Sequence, residues 1–458
     1  MTRTFFLSTL VSIIALPACA QPPAPTKGDS TKLDPAVEKA LELFKQQKMA
    51  EALDQLKAAV KANPNLSPPK VTLAQWWLRA GNGQNARLFV EQAVAEDPRH
   101  VEPYLLNASF ALNEGRVTDA ILGLKVVEQL AQETRWDAEQ KKRFVREART
   151  GLASCFLARA DFTAAKEQFK GLLNDDPKNG VLRQRMAEAI FRAGQPEEAF
   201  DELSKAFADE PSLDPPDLRM AAFWQAKSNG EADPMAAASA RGRAEEYLKK
   251  AVANHSKIAK CHREYAVWLM EDGRPDAATL YLDALTKLEP NARDTIAARA
   301  LWHLYRKEFA AAEPLLEGIM KDTPGDSFAL GNLCISLAES GDEKKVKRSI
   351  ELAETFVKQN PKLPQPYAIS GWCLIKGGRL DDAEKALSAA ASAGQVAFDT
   401  AYYMAKLLYE RQKYEDAVRI LQQAVAAPHG AFLYRADAKA LLVETLKKLP
   451  EKKDEPKK

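Results

Sequence analysis

Residues Gly180 to Pro211 read GVLRQRMAEAIFRAGQPEEAFDELSKAFADEP, and this stretch sets the pattern for residues 33 to 431. Met186, Ala187 and Ile190 fall at i, i+1 and i+4 on one helical stripe, which places Arg183, Arg185 and Arg192 toward solvent. Ala193, Gly194 and Gln195 break the pattern. Pro196 then opens a second helix, with Glu197 and Glu198 facing the positive end of the helix dipole. Ala199, Leu203 and Ala206 form its buried stripe, and Asp209-Glu210-Pro211 ends it because proline disfavours helical geometry in the preceding residue. The spacing predicts two short antiparallel helices.

A helix pair of this size cannot enclose a core, so its apolar stripes must be covered by neighbouring pairs. The sequence repeats accordingly. Pro64 and Pro98, Pro177 and Pro211, and Pro290 and Pro324 are each 34 residues apart. Twelve positions before them stand Ala52, Ala86, Ala165, Ala199, Ala278 and Ala312, where two helices of a pair can touch only if no long side chain intervenes. One turn further on are Leu56, Val90, Phe169, Leu203, Leu282 and Leu316, on the same face. With Tyr104 and Tyr367 at the first-helix aromatic position, Trp77 and Phe156 at a later one, and Gly371 as the one first-helix glycine, the chain resembles the tetratricopeptide repeat (TPR) family. The resemblance implies an all-α, right-handed superhelical solenoid of about eleven helix-turn-helix units.

Composition agrees with a helical solenoid and excludes other classes. The 65 basic and 63 acidic side chains are interspersed, so no long-range field draws nucleic acid or an anionic membrane surface. Residues 1–20 carry Arg3, an apolar run from Phe5 to Leu16, and Pro17-Ala18-Cys19-Ala20, which reads as a secretory signal too short to span a bilayer. Two processing readings stand side by side: cleavage after Ala20, or a lipobox in which Cys19 is lipidated and anchors the chain. Residues 21–32 form a proline-rich tether.

Repeats one to five occupy 33–213, with extra polar material between Glu133 and Arg146 read as lengthened helices projecting from the stack. An irregular sixth repeat spans 214–257, its two helices separated by a short aromatic helix (Met220 to Ala226) and a polar loop, SNGEADP. Repeats seven to eleven occupy 258–431, the ninth stretched by three residues. A capping helix over 432–449, with Leu441, Leu442 and Leu446 as its apolar face, precedes a disordered tail at 450–458.

The residues for chemistry are scattered. His100, His255, His262, His303 and His429 show no metal-ligand spacing, and Cys261-His262 reads as a buried thiol beside a surface histidine. Cys334 and Cys373, in consecutive repeats, are the pair to examine for a disulfide. No phosphate loop or nucleophile motif appears, so the sequence predicts no enzyme, cofactor or metal.

What remains is the inner wall. By the TPR resemblance, the second, fifth, ninth and twelfth residues of each repeat face a ligand. The ninth and twelfth read Gln75 and Leu78, Ser109 and Leu112, Ser154 and Leu157, Glu188 and Phe191, Val267 and Met270, Leu301 and Leu304, Trp372 and Ile375, and Lys406 and Tyr409. A largely apolar groove suits an extended or helical peptide. The expectation is a non-catalytic protein-binding scaffold of the bacterial envelope; a helical subunit of a peptidoglycan- or carbohydrate-active enzyme and a self-assembling solenoid stay open as alternatives.

Overall fold

The computed structural model of the chain describes residues 34–426 and 430–449, and every regular element among them is an α-helix. The signal segment, the tether, Cys19 and the C-terminal tail lie outside the described residues. Two compact units follow one another, divided between Arg219 and Met220.

In the first unit α1 (Pro35–Lys45) pairs with α2 (Met49–Ala62), α3 (Pro69–Arg79) with α4 (Gly83–Glu96), and α5 (Val101–Asn113) with α6 (Val117–Leu130). Then α7 (Ala138–Ala158) pairs with α8 (Phe162–Asp175), and α9 (Gly180–Arg192) with α10 (Pro196–Asp209). The unit boundary falls within α11 (Pro216–Gly230), which α12 (Pro234–Asn254) follows. In the second unit α13 (Ala259–Glu271) pairs with α14 (Pro275–Leu288), α15 (Arg293–Tyr305) with α16 (Phe309–Asp322), and α17 (Ser327–Ala338) with α18 (Glu343–Gln359). Last come α19 (Pro364–Lys376) with α20 (Leu380–Ala393), α21 (Phe398–Glu410) with α22 (Tyr414–Ala426), and the closing helix α23 (Arg435–Leu446). Twenty-three helices are therefore present among the described residues, the number that eleven two-helix repeats and a final helix require, as the repeat spacing predicts.

The unit read from sequence forms by the expected local rules. The Asn179 side chain accepts the Leu182 N–H at 2.9 Å at the start of α9, and Pro196 occupies the first turn of α10. Between the helices of a pair the chain reverses through one residue in the left-handed region. Gly273, Lys307 and Gly341 hold this place in successive repeats, with φ of 75°, 62° and 71°. All six alanines of the repeating beat are fully buried, at 0% exposure. Their partners Leu56, Val90, Phe169, Leu203, Leu282 and Leu316 are buried too.

Several expectations change. Residues 228–230 are the last turn of α11 and Pro234 opens α12, so the extra length of the sixth repeat is taken up in helix rather than in a polar loop. The stretched ninth repeat is likewise absorbed, in a 17-residue α18. The material before Arg146 does not project. The first half of α7, capped by Asp137 and Gln140, buries Phe144 and Ala148 against Val101, Val127 and Ala131, and Trp136 packs edge-on to Phe144 at 5.0 Å. In α23 the buried face is Ala438, Leu441 and Thr445, while Leu446 points to solvent. Arg183 is not a solvent residue: its guanidinium lies 2.8 Å from the buried carboxylate of Glu202. His262 is buried beside Cys261, its Nε2 2.9 Å from the Ser256 carbonyl oxygen.

The glycine of α19 marks a close approach. A Cβ on Gly371 would stand 2.6 Å from Leu387 Cγ in the paired helix α20. Gly371→Ala is expected to destabilise the second unit by about 1–3 kcal/mol through overpacking; an unchanged urea midpoint would show that α19 and α20 separate freely.

Candidate functional site

The inner wall of the second unit is built from the first helices of its pairs, and its polar residues lie near their ends. Lys307 is the left-handed residue after α15, and Glu339 is the C-cap of α17. Trp372 sits in α19, and Asp399, Tyr402 and Tyr403 sit in the first turns of α21. Across these residues runs the chain's own segment 430–434, just before α23.

The segment is held as a bound peptide would be. The Asp399 carboxylate accepts the N–H groups of Tyr434 at 3.0 Å and Leu433 at 3.3 Å. Lys307 Nζ donates to the Leu433 carbonyl at 3.0 Å, pairs with Asp437 at 2.8 Å, and stands 3.9 Å from the centre of the Tyr434 ring. Glu339 accepts from Tyr434 Oη at 2.7 Å and from Trp372 Nε1 at 3.0 Å, while Lys376 donates to its second oxygen at 2.6 Å. The Tyr434 ring stacks on Tyr402 at 5.0 Å and meets Trp372 and Tyr403 at an angle, and Phe432 stacks on Phe398 at 5.6 Å.

Burial dominates the electrostatics of this site. It pushes the Asp399 carboxyl up to about 6, against the opposing pull of the two segment N–H groups, Lys307 and Arg435. The phenols of Tyr403 and Tyr434 are driven well upward by the same burial, so both stay neutral, and Tyr434 donates to Glu339.

Of the residues read from sequence, Trp372 touches this segment directly through its ring, and Leu433 packs against the core that holds Leu304. Ile375 belongs to the adjoining core, Leu304 is fully buried with Ala312 and Leu316, and Met270 and Phe191 are buried. These four are packing residues, covered by neighbouring helices. Leu301 is half-buried against the core that holds Leu304, and Tyr409 meets Tyr414 and donates to Glu444 of α23. In the first unit Gln75, Leu78, Leu112, Leu157 and Glu188 are half-buried, Leu78 beside Phe110 and Glu188 paired with Arg192 at 2.9 Å. Asp399 and Tyr402 were legible as the second and fifth positions of the repeat that opens at Phe398. Nothing in the repeat pattern marks Lys307 or Glu339, which belong to the turns.

No group of His, Cys, Asp and Glu among the described residues could hold a metal ion. Cys334 and Cys373 are free, buried neighbours, Cys373 Sγ lying 3.7 Å from the Cys334 carbonyl oxygen.

Models of the tetratricopeptide repeat match residues 147–222 and 370–431, which include the second half of α7, α8 to α10, and α20 to α22 of this architecture. The chain is a tetratricopeptide repeat protein. Among solved structures, a TPR protein from Parabacteroides merdae is 14% identical, with a TM-score of 0.38 over 66% of this chain and 99% of its own. Yeast Tom70 is 14% identical, with a TM-score of 0.36 over 90% of this chain and 95% of its own. No curated protein matches the sequence. As a TPR protein the chain is an interaction scaffold in kind.

Two measurements test the site. Leu304→Ala should cost about 2–5 kcal/mol as a cavity mutation, so a wild-type denaturation midpoint would return Leu304 to the ligand-facing surface. Asp399 binds its proton more tightly folded, at about 6, than at its ordinary value of 3.8. The stability it contributes is therefore full below the ordinary value and lost as pH rises through about 6. The stability difference between the native TPR protein and Asp399→Asn should fall over that window and level off above it; a difference that is flat with pH would show an ordinary carboxyl.

Proposed function

We propose that this TPR protein is a non-catalytic scaffold of the bacterial cell envelope that holds a peptide segment of a protein partner along its inner wall. The observation that carries this reading is the segment 430–434. Its main chain is gripped by a carboxylate and an ammonium, and its aromatic side chains fill apolar sites between helices. Those contacts need only main-chain N–H and C=O groups and two aromatic rings, features that a partner's peptide equally offers. A wall made of packed helices is formed in advance, so little ordering is required on binding.

Placement in the envelope rests on residues 1–20, with their short apolar run and the Ala18-Cys19-Ala20 end. Cys19 gives a lipid anchor as one form and cleavage after Ala20 a soluble one.

The test places a photocrosslinking amino acid at Leu301 on the inner wall, or at Leu280, which is 70% exposed on the second helix of its pair. In intact cells a partner should be trapped from Leu301 and not from Leu280, and deletion of residues 2–20 should abolish trapping by keeping the chain inside. Trapping from Leu280 alone would assign binding to the outer face, and trapping that survives the deletion would remove the envelope reading.

A further inference from the structure

We propose that residues 430–435 are an internal ligand, which occupies the second unit's groove until a partner presenting an aromatic–aliphatic–aromatic peptide displaces it. The inference rests on the reading of that groove as a peptide site, and adds its occupant and the chemistry of its partner.

Three observations separate this segment from an ordinary end cap. First, it lies beyond the repeats: α22 ends at Ala426, and the family match ends at residue 431, immediately before Phe432. A terminal cap needs only to cover the last pair, which α23 does through Ala438, Leu441 and Thr445. Second, the segment reaches far back along the chain. Leu433 bonds to Lys307 across 126 residues of sequence and Tyr434 to Glu339 across 95, several repeats beyond the pair that the cap covers. Third, the polar anchors address the segment's main chain and one phenol. Asp399 takes two successive N–H groups, Lys307 gives to the carbonyl between them, and Glu339 receives the Tyr434 hydroxyl.

The occupant's chemistry follows from the sites it fills. Phe432 and Tyr434 are each 3% exposed, and the latter is enclosed by Trp372, Tyr402 and Tyr403 with an ammonium near its ring. The displacing peptide must bring an aromatic ring for the Phe398 site, an aliphatic residue, and a phenol for Glu339. It must also arrive in a turn, as here where the Arg435 N–H donates to the Phe432 carbonyl at 3.3 Å, so that adjacent N–H groups meet Asp399. A tethered segment acts at an effective concentration on the order of millimolar, so a free peptide meets a competitor that is always present. Its apparent affinity is reduced by the fraction of molecules in which the groove is open.

The experiment titrates a fluorescein-labelled peptide of sequence GAFLYRAD, residues 430–437, into the full chain and into the full chain carrying Phe432→Ala and Tyr434→Ala. Binding to the double variant should be at least about tenfold tighter than to the native chain. It should be lost again when Asp399→Asn and Lys307→Ala are added. Equal binding to native and variant chains would overturn the internal ligand while leaving the groove as a peptide site. Binding to neither would overturn both. Should the double variant lose its helical melting transition, hydrogen exchange on the native chain decides. Millimolar peptide must speed exchange at the amides of Leu433 and Tyr434, and unchanged protection there overturns the proposal.

Discussion

Two helices can lie against each other in this chain because an alanine stands where they touch. Ala52, Ala86, Ala165, Ala199, Ala278 and Ala312 are shielded completely, and a longer side chain at any of them would push a pair apart. The helix pair is nevertheless too small to bury its own stripes. Its remaining apolar surface is covered by the next pair, so the stability of each repeat is shared with its neighbours. Gly371 shows how tight the arrangement becomes where even one carbon would meet Leu387.

A stack of this kind leaves the ends of its helices as the places where polar groups collect. In the second unit those ends supply Lys307, Glu339 and Asp399, and all three are engaged by one crossing segment. A buried carboxylate is tolerated only when hydrogen-bond donors replace the water it has lost. The main chain at Leu433 and Tyr434 provides those donors for Asp399, and Tyr434, Trp372 and Lys376 provide them for Glu339. The wall and the segment are thus chemically matched, polar groups to main chain and rings to rings. An interaction scaffold of the TPR kind gains a defined place for a peptide by this means.

The insertions show the same economy of surface. Extra residues before Arg146 and around residue 230 were expected to stand away from the stack, yet they extend α7, α11 and α12. In the case of α7 the added turns bury Phe144 and Ala148 against the preceding pair, with Trp136 packed edge-on to Phe144. Added helical residues keep their backbone hydrogen bonds satisfied and can cover apolar surface, which a polar loop of equal length would leave bare.

The sequence alone determined the helix pairs, their number and their buried beat, because those depend on local spacing: proline at a fixed interval, alanine twelve residues before it, a large apolar residue one turn on. Asp399 and Tyr402 hold the second and fifth places of their repeat, an order readable in the sequence, but that order does not show what they meet. The tertiary structure decided which wall residues are accessible. Leu304, Met270, Phe191 and Ile375 obey the same spacing as Leu301 and Leu78, but cover by a neighbouring repeat depends on how repeats lean together, which no single repeat encodes. Only the folded chain brings Lys307, Glu339 and Asp399 to one peptide segment. They are separated by whole repeats in sequence, and their meeting depends on the curvature accumulated over successive pairs, each adding a small rotation to the last.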